Sequence, residues 1–161
     1  MANYTGANVI TTSDIQKYQP DAFDFGISTT ATETTNFLAQ TTNDILRQLR
    51  VEWWPVYKTN IFTDITVLNT AEMVNTKVNL DQFERAGVYL FLGRFFLPAL
   101  TKFRPETEKD RFERMAEYYM SQYNVEWRMI LEDGVEYDSD ADGTIVSNER
   151  EPLHGFRRLI R

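Results

Sequence analysis

One stretch carries residues whose types and spacing could do site chemistry. Residues 138–149 read Asp-Ser-Asp-Ala-Asp-Gly-Thr-Ile-Val-Ser-Asn-Glu. Asp138, Asp140 and Asp142 offer alternate carboxylates, Gly143 permits a sharp turn, Thr144 offers its carbonyl and Glu149 closes the loop. This is the spacing of an all-oxygen shell for a hard cation, Ca²⁺ above all. Without a cation the carboxylates would repel one another. The same residues also fit an acidic β-turn or hairpin tip, with Asp side chains accepting from nearby backbone amides. Gly134 and the strand-forming Val135-Glu136-Tyr137 make a poor entering helix, and Pro152 and Gly155 disfavour a long exiting one. No second loop of the kind is present to pair with it. A structural Ca²⁺ is the one cofactor these residues allow for, and no other is expected.

Other chemistry finds little footing. His154 is the only histidine and there is no cysteine, which excludes disulfides and thiolate metal sites. Ser-Asp neighbours without a base carry no weight, and no glycine-rich phosphate loop is present. Carboxylates distant in the chain can meet in space, but nothing in the sequence points to such a pair. A non-enzyme is expected. The formal charge of -7 argues against a general nucleic-acid binder, which needs a basic face to displace counterions. The start, Met1 to Thr12, is polar and lacks the pattern of a leader. The most apolar stretch, Val88 to Leu100, is short and broken by Gly93, Arg94 and Pro98, so no membrane segment is expected.

The elements that would position the acidic loop are mostly helical. Ser13-Asp14-Ile15-Gln16 has capping-box spacing, and Pro20 stops a helix near Tyr18. Asp21 to Phe25 suits a further turn, and Ser28 to Thr35 either a loop or a ragged helix start. Phe37, Leu38, Ile45, Leu46, Leu49 and Trp53 recur at helical spacing, predicting a helix from about Thr34 to Trp54 that Pro55 ends or kinks. Ile61 to Val78 has no clear period and reads as a loop with one helical turn. Asn79-Leu80-Asp81-Gln82 is a second capping box, opening a helix that is apolar almost all round and therefore central, with Gly87 and Gly93 allowing a neighbour to come close. Pro98 marks its end or a kink. Pro105 opens an amphipathic helix whose inner face is Phe112, Met115, Ala116, Tyr119, Tyr123, Trp127 and Ile130. Its outer face is Glu113, Arg114, Glu117 and Arg128.

From Glu132 to Glu151 eight acidic residues face one basic one, so the character of the chain changes there. Val135-Glu136-Tyr137 and Thr144-Ile145-Val146 read as two short strands either side of the aspartates. The expected architecture is mostly α: a small bundle of three to four helices over 1–131, then a short β-hairpin or acidic loop and an extended C-terminal arm over 132–161. Aromatic residues make up 14% of the chain, an excess that serves either a core or an interface. For Trp53-Trp54 the expectation is one ring on the core and the other under a loop, because adjacent helical residues diverge by about a quarter-turn.

This arrangement resembles the head–tail adaptor, or connector, proteins of tailed bacteriophages. The residues that carry the likeness are Thr12 to Tyr18, the Phe112 to Trp127 stripe, Asp138 to Gly143, and the terminal Phe156-Arg157-Arg158-Leu159-Ile160-Arg161. The likeness covers most of the chain as a layout rather than a diagnostic motif, and Ile61 to Val78 departs from it. It implies a ring, dodecameric in such proteins, of identical subunits beneath the portal protein in the virion neck, made in the host cytoplasm. The ring would extend the DNA channel without specific DNA binding and receive the next neck or tail protein. It also implies that Phe156, Arg157, Arg158, Leu159, Ile160 and Arg161 form the portal-binding arm.

Overall fold

Thr11 opens the first helix, two residues before Ser13. In the computed structural model its side chain accepts from the Asp14 amide while Asp14 accepts from the Thr11 amide, closing a reciprocal capping box. Helix α1 then runs Thr12–Tyr18. The helix is where the sequence predicts it, but the cap is Thr11-Asp14 rather than Ser13-Gln16. The structure describes residues 8–101, 111–146 and 149–151. Pro105 and the arm from Phe156 to Arg161 lie outside these.

The chain is mostly α. After a 3₁₀ turn at Ala22–Phe25 come α2 (Thr32–Glu52), α3 (Trp54–Ile61), α4 (Ile65–Thr70), α5 (Glu84–Leu90), α6 (Leu97–Leu100) and α7 (Arg111–Asp133). Two dipeptides, β1 (Val135–Glu136) and β2 (Arg150–Glu151), pair antiparallel. The strand expected at Thr144 to Val146 is not formed, and the partner of β1 follows Glu149 instead. Pro55 does not simply end α2: it lies in the first turn of α3, where its missing N–H costs nothing.

Among the described residues packing forms two compact units, one of 8–44, 83–101 and 111–127, the other of 45–82, 128–146 and 149–151. The compositional change at residue 132 is a different division. In the first unit the segment Glu84 to Leu97 is central, as its all-round apolar character predicts: Ala86, Val88, Phe91, Leu92 and Phe96 are fully enclosed. Phe37 stacks on Phe95 with centroids 5.9 Å apart, and Phe23 meets Phe96 edge-on at 5.2 Å.

Between α5 and α6, Phe91–Phe96 forms a π-helical turn, closed by the Leu97 amide donating to the Leu92 carbonyl. Pro98 accounts for it, since a proline cannot donate to the carbonyl four residues back and the turn widens just before it. Gly93 lies within this turn. A Cβ there would stand 2.8 Å from Met120 Cγ, 2.9 Å from the Met120 nitrogen and 3.0 Å from the Ala116 oxygen, so α7 approaches at a distance only glycine allows. On α7, Ala116, Tyr119, Tyr123, Trp127 and Ile130 are buried, while Glu113, Arg114, Glu117 and Arg128 are exposed, as the periodicity predicts.

Candidate cation-binding loop and its supports

Helix α7 ends at Gly134, which takes a left-handed φ of 100° and donates to the Ile130 carbonyl. A side chain would be strained in that conformation, so glycine releases the chain directly into β1. Two segments flank β1. On one side is β2, with Val135 opposite Glu151 and Glu136 opposite Arg150. On the other, the Asp138 amide donates to the Lys77 carbonyl at 2.8 Å and the Asn79 amide to the Glu136 carbonyl at 3.0 Å. The loop therefore leaves from a strand held on both edges, not from a helix, and it is not a helix–loop–helix calcium site.

Side chains lock this base. The Gln82 amide group accepts from the Glu136 N–H at 2.7 Å and donates to the Gly134 carbonyl at 3.2 Å. Asn79 accepts from the Asp81 amide and donates to the Glu136 carboxylate, which also pairs with Arg150. The box Asn79-to-Gln82 is thus only half a cap: Asn79 serves the following turn, whereas Gln82 reaches to the strand. Lys77 Nζ donates to the Ser139 carbonyl at 2.5 Å.

Beneath the loop, Tyr137 closes an aromatic cluster with Trp53, Trp54 and Tyr57. The Tyr137 ring lies 5.6, 5.5 and 5.3 Å from those three in turn. Both tryptophans join this one cluster, contrary to the divergence expected on a continuous helix. The reason is the break between α2 and α3, where Trp53 is the capping residue and Trp54 the first of α3. Trp54 also lies under the segment that follows α4, its Nε1 donating to the Ala71 carbonyl at 3.2 Å. The Tyr137 hydroxyl accepts from the Val74 amide, and burial pushes its ionisation up.

Within the loop, backbone amides face the carboxylates. Asp138 accepts from the Asp142 amide at 3.2 Å and the Gly143 amide at 2.9 Å. Asp140 accepts from the Asp142 amide at 3.2 Å, and Asp142 from the Thr144 amide at 2.7 Å. Glu149 Oε1 accepts from the Ser139 amide and hydroxyl, both at 2.7 Å, and Oε2 from the Val146 amide at 3.2 Å. Ala141 and Gly143 take left-handed φ values of 62° and 82°, which curl the chain around these acceptors.

Asp138, Asp140 and Glu149 each bring one carboxylate oxygen within 4.8 Å of the others. Asp138 and Glu149 are buried and Asp140 is exposed. Of the four acids with ligand spacing, then, three converge. Asp142 is not in that group, and its carboxylate accepts from the Thr144 amide. Burial raises the Glu149 carboxyl's affinity for its proton, but the Ser139 hydroxyl and the amides of Val146, Ser139 and Asp140 outweigh burial and hold it below its ordinary value. Such donors neutralise converging carboxylates in part, as a hard cation would more fully.

The residues that build the site but have no obvious signal in the sequence are Lys77, Gln82, Tyr137 and Ser139. The capping-box spacing draws attention to Gln82, but for a different task. His154 and the arm Phe156 to Arg161 lie outside the described residues. Among the described residues no helix is long and apolar enough to cross a membrane. Compared with protein-family models, curated proteins and solved structures, the chain matches none.

Proposed function

We propose that this chain is a structural virion subunit, a head-to-tail adaptor. It forms a ring of identical copies between the portal and the next neck or tail protein, extends the DNA channel and carries out no catalysis. One observation carries the reading. Helix α4 has no buried residue, and it exposes 70% of Ile65 and 43% of Val67. Six residues are too few to hold a helix by local bonds alone, and an isolated helix of fewer than about 12 residues is marginal in water. An apolar segment left without a core in its own chain is surface made for another. The segment Ile61 to Val78, which departs from the family layout, then has a task at a subunit contact. The negative charge of the chain suits a channel through which DNA slides without being held. Quantitative mass spectrometry of purified virus particles tests this: the chain should be present in a fixed ratio to the portal protein, and its absence from intact particles overturns the reading.

A second reading, a calcium-binding interaction module, draws its support from the convergence of Asp138, Asp140 and Glu149 within 4.8 Å. It predicts calcium binding in titration calorimetry that Asp138→Ala with Asp142→Ala abolishes. No heat of binding in the native chain counts against it.

A further inference from the structure

Arg50, Trp54, Lys58, Ala71, Glu72 and Met73 line an open cleft of about 490 Å³. Trp54 and Met73 are nearly enclosed there, each 7% exposed, and the lining of the cleft is of mixed polarity. Its rim carries two cations and one anion. Among the described residues the Arg50 guanidinium bonds to a neutral group, the Asn75 side-chain oxygen at 2.6 Å, which does not offset its charge. A cationic cleft over an indole, on a chain of net charge -7, is a local inversion of the prevailing field.

We propose that this cleft receives the tip of the 138–149 loop of a second copy of the chain. Both halves of the match are on the same molecule. The tip exposes the Asp140 and Asp142 carboxylates, and the loop also exposes 46% of Val146. The cleft offers Arg50 and Lys58 to the carboxylates, beside the small exposed parts of Trp54 and Met73. The amide bonds within the loop hold the two carboxylates in a fixed turn, so little order is lost on docking. A contact that joins two different patches leaves a free cleft on one copy and a free loop on the other, and further copies add head to tail. This deepens the assembly reading and rests on its claim that copies touch. It needs no portal, so its failure leaves the particle-composition test standing.

The test is sedimentation velocity on the full-length protein with EDTA present, because a cation in the loop would neutralise the carboxylates the cleft attracts. The native chain should self-associate as its concentration rises, and less so as salt is raised from about 50 to 500 mM. Arg50→Glu with Lys58→Glu should weaken association by about tenfold or more, and so should Asp140→Lys with Asp142→Lys. Mixing the two charge-reversed proteins should bring association back, since each supplies the half the other has inverted. Circular dichroism checks that each variant keeps its helix content, and Lys58→Glu alone serves if the double change unfolds the chain. A native chain that stays monomeric, reversed variants that associate like the native one, or a mixture that stays apart would each overturn the proposal.

Discussion

At Glu149 two effects oppose each other. The side chain is 2% exposed, which favours the neutral acid, yet its oxygens accept from a hydroxyl and several amides, which favours the carboxylate. The hydrogen bonds prevail and the pKa lies below its ordinary 4.5. A group whose folded pKa is depressed stabilises the fold fully above its unfolded value, and that stabilisation is lost as pH falls through the folded one. Asp14 follows the same rule: burial raises its pKa, but the bonds from Lys17 and Thr11 lower it below 3.8. Urea midpoints measured from about pH 6 down to pH 3 should therefore be flat at first and then fall in acid. Glu149→Gln should lower the midpoint at neutral pH and flatten part of the acid decline. An unchanged acid decline in that variant would show that the carboxylate is not held as described.

Among the elements, a tight constraint is the approach of α7 to the π-helical turn at Gly93. Gly93→Ala places a methyl 2.9 Å from a backbone nitrogen and 3.0 Å from a backbone oxygen, which can yield only if a helix shifts. The expected cost is about 1–3 kcal/mol, read as a lower thermal or urea midpoint, and a stability equal to the native chain would refute the close packing. That glycine would admit a neighbour was legible in the sequence, as were α2 and α7, because long apolar periodicity is averaged over many turns. The π turn was not, since it reflects a compromise between Pro98 and continuous packing. Helix α3 was obscured because Pro55 reads equally as an end or a beginning. The aspartate spacing made the loop visible, but strand-forming Thr144 to Val146 misdirected the pairing that Arg150 and Glu151 in fact make. Tyr137 joining Trp53, Trp54 and Tyr57 depends on contacts between residues far apart in sequence, which no local pattern encodes.

Taken whole, the molecule spends its aromatic excess mainly inward, on Phe37, Phe91 and Phe96 in one unit and on Trp53, Trp54, Tyr57 and Tyr137 in the other. Exposed apolar side chains lie on α4, whose Asp64 cap accepts from the Thr66 amide at 2.9 Å, and also on the long helices, at Val51 of α2 and Val125 and Met129 of α7. Exposed apolar side chains of this kind are what the proposed assembly would use as contact surface. The proposed arm, Phe156 to Arg161, adds three arginines and three apolar residues at the end of an otherwise acidic protein. The most direct measurement of the assembly claim is capture of the cognate portal by the full chain and by a chain lacking residues 152–161, compared by size-exclusion chromatography with electron microscopy of the complexes. The account predicts that the full chain joins the portal as a ring, and that the shortened chain keeps its helical spectrum but fails to join. Equal capture by both chains, or none by either, would contradict it.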